Sequence, residues 1–248
     1  MKLFKEIFGR IWAIWGLASF VVTFFIFFIP SMVTFFMPEP RSSELFTRIS
    51  RWWMNIWLLM VGCPVKIRGR ENFKKGETYI VTCNHNSLMD VPLSSPYIPG
   101  ANKTIAKISF SKIPVFGLYY KKGSVLVDRK SDASRKESYT RMKEVLASGI
   151  HMCIYPEGTR NKTKDVLARF HSGAFRLSID TGKSILPGVI FHTKKAMPPK
   201  KIFYLFPQKL EFHFLPPITP TAADDAEALK EKTHAIMKNY LEMHAGKK

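Results

Sequence analysis

Between Ile11 and Met37 no residue carries a charge, and aromatic and aliphatic side chains dominate. No other feature constrains the fold as strongly. At ~1.5 Å per residue, a helix from Ile11 to Ile29 alone reaches about the thickness of a bilayer core. A cleaved leader fits poorly, because the apolar region is too long and no small-residue cleavage site follows it. The run therefore predicts a membrane-embedded segment. Lys2, Lys5 and Arg10 precede it and Arg41, Arg48 and Arg51 follow it, so the flanking charge does not favour a single crossing. Pro30 interrupts the run and Pro38-Glu39-Pro40 reads as a turn. A second stretch, Trp52 to Val61, is apolar but too short to span alone. The expectation is an N-terminal membrane-embedded helical hairpin sunk into one leaflet. The alternative is one transmembrane helix with a slanted second helix. All 5 tryptophans, Trp12, Trp15, Trp52, Trp53 and Trp57, lie here, where interfacial anchoring would place them.

After Gly62-Cys63-Pro64 the composition changes to that of an α/β domain. The expected division is residues 1–62 as membrane-associated helices and 63–248 as one α/β domain, for which 248 residues with 46% hydrophobic content suffice. Strands are expected at Val65–Arg68, Thr78–Thr82, Ser124–Val127, Met152–Tyr155, Ile185–Ile190, Ile202–Leu205 and Leu210–Phe214, with a short candidate ending near Lys107. Helices are expected at Asp132–Ala147, Gly173–Thr181 and Thr221–Met243, the first with a capping-box pattern at Ser134 and Glu137. Strands alternating with helices predict a mostly parallel central sheet flanked by helices, with active loops at strand ends.

A net charge of +19 calls for an anionic partner: lipid headgroups, nucleic acid or phosphorylated small molecules. The N-terminus selects a membrane lipid bilayer and argues against nucleic acid. Three cysteines, Cys63, Cys83 and Cys153, without Cys-x-x-Cys spacing, argue against a disulfide framework and a thiolate metal site. The histidines outside the first motif below are scattered without ligand spacing. No metal and no cofactor is expected.

Four stretches carry candidate chemistry. In Asn84-His85-Asn86-Ser87-Leu88-Met89-Asp90, a histidine and an aspartate stand five apart after an apolar run. On one continuous helix they would point about 140° apart. Pairing is easier with His85 in a turn and Asp90 in the first helical turn, capped by Asn86 or Ser87. Asp90 would then fix one tautomer of the imidazole and leave its other nitrogen as a base. Taken alone, the same spacing also fits a capped polar loop. In Tyr155-Pro156-Glu157-Gly158-Thr159-Arg160-Asn161, Gly158 permits an unusual backbone angle and Arg160 offers a planar fork suited to phosphate. Glu157 would repel phosphate and is expected to orient Arg160 or a hydroxyl-bearing partner. Gly123-Ser124-Val125-Leu126-Val127-Asp128-Arg129 is a strand ending in a charged pair, with Arg129 available to the same phosphate. Ile185-Leu186-Pro187-Gly188-Val189-Ile190 reads as a buried strand. Lys112, Lys121 and Lys122 read as surface cations that could face lipid headgroups.

In their order along the chain, these stretches resemble the four blocks of the glycerolipid acyltransferase family, and within it the bacterial 1-acyl-glycerol-3-phosphate acyltransferases. The resemblance runs from about Val65 to Leu215. It implies that His85 is the general base and Asp90 its orienting partner. It implies that Arg129, Glu157, Gly158, Thr159 and Arg160 bind or shape the site for the substrate phosphate, with Lys107 added as a match to a lysine that often follows the first block. Gly123 and Pro187 are assigned to the acyl-donor region. The sequence departs from the family's pattern at His171, where lysine is usual, at Asn161, where serine is common, and at Gly188, where a bulky residue is frequent.

The implied reaction moves an acyl group from an acyl carrier protein or coenzyme A thioester to the sn-2 hydroxyl of lysophosphatidic acid. The implied location is the cytoplasmic face of the cytoplasmic membrane. Alternatives are acylation of another lysolipid such as a lyso-aminolipid, a lipid or thioester hydrolase, and a non-catalytic module that binds anionic lipid. Cys83 as a nucleophile is a minor alternative within the enzyme reading.

Overall fold

In this computed structural model residues 2–221 and 223–244 are described. Met1, Ala222, residues 245–248 and the side chain of Lys2 lie outside them. The helices are α1 (Lys2–Val33), α2 (Arg41–Met60), α3 (Asp90–Ser94), α4 (Phe116–Lys122), α5 (Asp132–Ala147), α6 (Gly173–Thr181), α7 (Thr193–Ala196) and α8 (Ala226–His244). The strands are β1 (Val65–Arg68), β2 (Ile80–Cys83), β3 (Asn102–Lys107), β4 (Ser124–Val127), β5 (His151–Ile154), β6 (Ile185–Phe191) and β7 (Leu210–Phe214). They form one seven-stranded sheet in the order β1-β7-β6-β2-β5-β3-β4. Every neighbouring pair is parallel except β6 with β7. The central β2 is buried along its length, as a strand covered on both faces must be. Val81 joins the core beneath α1 and α2. Its neighbour Ile80 points the other way, to the core under α5, α6 and α8. The architecture is thus three layers: the helical pair, the sheet, and a second set of helices.

Helix α1 runs through Pro30 rather than stopping there, and ends in a 3-10 turn at Thr34–Phe36. A helix-interior proline costs about 3 kcal/mol in isolation. Packing offsets it: Phe24, six residues earlier, packs tilted or edge-on against Trp53, Phe116 and Tyr119. The stretch Leu3–Phe36 is the one described helix long and apolar enough to cross a membrane. It does not stand clear of the sheet domain. Its Gly9 and Gly16 lie so close to Tyr204 and Leu205 that a Cβ at either would come within 2.3 and 2.5 Å of those side chains.

The tryptophans divide. Trp15 and Trp52 are exposed, but Trp53 and Trp57 are only 2% and 5% exposed. Their indole N–H groups donate to Thr23 Oγ1 and to the Gly16 carbonyl, at 2.9 and 3.0 Å. An anchoring role for Trp53 and Trp57 is therefore replaced by helix–helix packing with satisfied N–H donors. Arg51, expected to flank the membrane segment, instead donates to the carbonyls of Pro96 and Ile98.

Residues Ile202–Leu205 do not form a strand. The Leu205 N–H donates to the Gly9 carbonyl and the Phe206 N–H to the Ala196 carbonyl. Burying a leucine contributes about 1.5–3 kcal/mol, and docking on α1 captures that without a ladder. Helix α5 has the expected bounds, but its cap is Ser131, which accepts from the Ser134 N–H, while Ser134 Oγ accepts from the Asp128 N–H. The last helix starts at Ala226 rather than Thr221; Ala222 of the expected range lies outside the described residues.

Candidate active site

Strand β2 ends at Cys83, and the turn that follows sits at the carboxyl edge of the sheet. Asn84 is buried there. Its side-chain amide donates to the Ile190 carbonyl and accepts from the Ile190 N–H. It prolongs the pairing of β2 with β6 by one side chain and fixes where the chain turns.

His85 occupies that turn, and Asp90 is the first residue of α3. His85 Nδ1 lies 2.9 Å from Asp90 Oδ2, with side-chain exposures of 16% and 0%. The same oxygen accepts from the Asn86 N–H at 2.5 Å and the Ser87 N–H at 2.7 Å. Donors converging on one buried carboxylate oxygen hold the turn closed. The cap relation differs from expectation. Asp90 satisfies the amides of the turn, whereas Ser87 Oγ accepts only from Met89 N–H and donates to the Met197 carbonyl. With Nδ1–H donated to Asp90, His85 Nε2 carries the lone pair.

The imidazole stacks on Tyr155, with ring centroids 4.3 Å apart. Tyr155 is itself pinned by a 2.6 Å hydrogen bond with Ser94. Burial drives its phenol well above the usual range, with Cys153, Cys83 and Asp90 adding to the shift, so it packs here as a neutral ring.

Glu157 does not orient Arg160. Its two oxygens accept from the backbone N–H of His85, at 2.6 Å, and of Ala168, at 3.0 Å. The Asn161 N–H donates to the His85 carbonyl at 2.6 Å. The loop after β5 therefore grips the backbone of His85 on both sides. Burial raises the Glu157 carboxyl to about 7, opposed by these N–H donors and by Lys194. Neither positioning contact has a local signature; the only cue for Glu157 was its poor fit to a phosphate site.

The two arginines lie on different sides of that loop. Arg129 follows β4 and donates to the Gly158 carbonyl. Gly158 needs its glycine: φ is +69°, and a Cβ would come within 2.9 Å of the His171 ring. Arg129, Glu157, Gly158, Thr159 and His171 line one cleft of about 580 Å³. Arg160 lines another, of about 340 Å³, with Leu88, Met197 and Leu17. Arg160 makes no side-chain hydrogen bond or ion pair among the described residues, so its fork is open to a ligand.

Three other candidates stand apart. Lys107 closes β3, two strands from β2, and its exposed side chain meets none of these groups. Gly123 precedes β4 and lines an apolar cavity between the helical pair and the sheet, with Phe20, Trp53, Val91, Phe116 and Tyr119. Pro187 is buried inside β6, level with Thr82, and lines none of these cavities. Next to it, Gly188 makes room for the Phe212 ring, 2.8 Å from where a Cβ would lie. Cys83 is fully buried and burial pushes its thiol well above the usual range, which removes the thiolate that a nucleophile needs. Among the described residues no cluster of His, Cys, Asp and Glu has metal-binding geometry.

The acyltransferase family profile matches residues 64–191, which contain His85, Asp90, Arg129, Glu157 and Arg160. A 1-acyl-sn-glycerol-3-phosphate acyltransferase of Cocos nucifera is 32% identical over 195 residues, covering 76% of this chain and 60% of that protein. One of Borreliella burgdorferi is 30% identical over 146 residues, covering 56% and 55%. The chain thus spans somewhat over half the length of these relatives. The crystal structure of the 1-acyl-sn-glycerophosphate acyltransferase of Thermotoga maritima superposes with a TM-score of 0.82, covering 98% of this chain and 99% of that one at 22% identity. At that identity the likeness speaks for the fold.

Proposed function

The chain belongs to the acyltransferase family, and on that footing we propose that it moves a fatty acyl group from an acyl thioester to the sn-2 hydroxyl of 1-acyl-glycerol-3-phosphate, forming phosphatidic acid. The observation that carries the proposal is the His85–Asp90 pair, with Nδ1 committed to the carboxylate and Nε2 left as the base. The relatives' names supply the acceptor.

In this reading the acceptor hydroxyl gives its proton to His85 Nε2 as its oxygen attacks the thioester carbon. The tetrahedral intermediate collapses, the C–S bond breaks, and the leaving thiolate takes the proton from the imidazolium. Asp90 favours that imidazolium while it exists. General-base help of this kind is worth about 10²–10⁴ in rate. A thiol of pKa ~8.5 leaves far more readily than an alkoxide, so no acyl-enzyme is needed. The amides of His85, Asn86 and Ser87 are already bonded to Glu157 and Asp90, so the oxyanion takes its donors from elsewhere in the site.

Arg160, which has no protein partner among the described residues, supplies the cationic fork for the acceptor phosphate, and Arg129 supports the loop after β5 by holding the Gly158 carbonyl. The apolar cavity beside Gly123 takes acyl chain. Contacts between α1 and the sheet domain at Gly9, Gly16 and Phe24 favour a hairpin lying in one leaflet over a helix that leaves the domain to cross. The catalytic edge then faces the cytoplasmic leaflet, within reach of a carrier-protein or coenzyme A thioester.

Purified protein with labelled acyl thioester and lysophosphatidic acid tests the reading. Wild type should form phosphatidic acid and folded His85→Ala should not. Full activity in that variant removes His85 as the base. Acylation of a phosphate-free lysolipid only would overturn the acceptor assignment.

A further inference from the structure

Between Asp90 and Asp128 the chain contains no acidic residue, yet it contains Lys103, Lys107, Lys112, Lys121 and Lys122. The structure divides these lysines. Lys103 and Lys122 pair with Glu39 in the turn between α1 and α2, which ties this region to the helical hairpin. Lys107, Lys112 and Lys121 form no ion pair among the described residues and are exposed. Between them lie Ile108, Phe110, Ile113, Val115 and Leu118, all exposed. Five large apolar side chains in one short connection, interleaved with unpaired cations, are not the surface of a water-facing loop.

The backbone is built to present them. Val115 has φ +62° and ψ −57°, and the Phe116 N–H donates to the Pro114 carbonyl at 2.6 Å. This is a γ-turn of the rare, strained hand, here at a β-branched residue. Such a conformation persists only when its surroundings enforce it. The enforcing contact is Gly117, where a Cβ would fall 2.3 Å from the Ser111 carbonyl oxygen. The first turn of α4 thereby presses on the segment before it. The result holds an exposed valine outward at some energetic cost.

The position is equally specific. β3 ends at Lys107, so the segment rises from the same carboxyl edge of the sheet that carries His85. Phe110 packs on Tyr120, and Tyr120 with Val91 and Phe116 lines the apolar cavity. Phe116 in turn touches Phe24 of α1.

We propose that the Lys107–Leu118 segment is a second lipid-contacting element, separate from the N-terminal helices, which sinks its apolar side chains into the leaflet at the lip of the acyl-chain cavity while Lys107, Lys112 and Lys121 meet lipid phosphates. The assignment rests on the reading of the acceptor as a membrane lipid. Continuity with α1 and the all-cationic charge select an anionic lipid surface as the occupant.

The native cysteines are fully buried, so single cysteines can be labelled on the full chain at Ile113→Cys or Phe110→Cys with an environment-sensitive fluorophore. Leu17→Cys on α1 reports the hairpin, and Lys75→Cys, in the turn before β2, reports the far edge of the sheet. The labelled proteins are reconstituted in phosphatidylcholine vesicles with and without phosphatidylglycerol, carrying brominated acyl chains. The Ile113 and Phe110 labels should shift to the blue and be quenched several-fold more than the Lys75 label, more so with phosphatidylglycerol. Quenching at Leu17 but not at Ile113 or Phe110 overturns the assignment and leaves the hairpin standing. Shielding of the Ile113 label from an aqueous quencher only on addition of an acidic carrier protein also overturns it, by making this face a protein-docking surface. These optical readouts do not depend on turnover, so failure of the acyltransferase reading would show separately in the transfer assay.

Discussion

His85 Nδ1 and Asp90 Oδ2 are 2.9 Å apart, and that carboxylate oxygen also receives the amides of Asn86 and Ser87. Orientation of the base and closure of its turn therefore depend on one atom. Asp90→Asn should lower kcat by about 10²-fold or more, within the range of general-base effects. It should also destabilise the fold by about 1–3 kcal/mol, because buried donors lose a charged acceptor. His85→Ala should lower kcat with much less effect on stability. Paired kinetics and denaturation curves check this: equal stability losses in the two variants would contradict the shared-atom arrangement.

Glu157 acts on His85 through its backbone. Glu157→Ala should lower kcat about 10-fold or more, leave KM for the acceptor nearly unchanged, and cost about 1–3 kcal/mol for the buried amides left without an acceptor. A large rise in KM at unchanged kcat would return Glu157 to the phosphate site.

The arginines should separate kinetically. Arg160 has no protein partner among the described residues, so Arg160→Ala should raise KM for lysophosphatidic acid about 10-fold or more with little change in thermal stability. Arg129 also holds the Gly158 carbonyl, so Arg129→Ala should lower both kcat and stability. Arg129→Lys should rescue it poorly, since a point charge does not reproduce the planar fork. Identical profiles for the two alanine variants would rule out this division of labour.

His151 gives the fold an acid limit. Its Nδ1 accepts from the Tyr79 N–H at 3.0 Å, and burial lowers its pKa to about 4 from an ordinary 6.5. The unfolded chain then binds the extra proton first, so stability rises with pH through the window from about 4 to 6.5 and is lost as pH falls through it. The maximum effect is about 3 kcal/mol at ~1.4 kcal/mol per unit. Urea denaturation at pH 7 and pH 4.5 should show this slope in wild type and a flatter one in His151→Gln. An equal slope in both would place the acid sensitivity elsewhere.

Local pattern determined much of this protein. Apolar periodicity placed β1, β4, β7, α5 and α6 at their observed bounds, because burial on one or both faces of an element writes its period into neighbouring residues. The uncharged run from Ile11 to Met37 predicted a long apolar helix, and the five-residue step from His85 to Asp90 made pairing easier with a turn before a helix. What tertiary structure decided were the partners. Glu157 reaches the His85 amide across 72 residues of sequence. Arg129 and Arg160 fall into separate clefts. Trp53 and Trp57 turn inward to Thr23 and Gly16, and Ile202–Leu205 docks on α1 instead of joining the sheet. A hydrogen-bond partner is chosen by which strand ends and helices arrive at the same edge of the sheet, and that meeting depends on strand order, which leaves no periodic trace in the residues themselves.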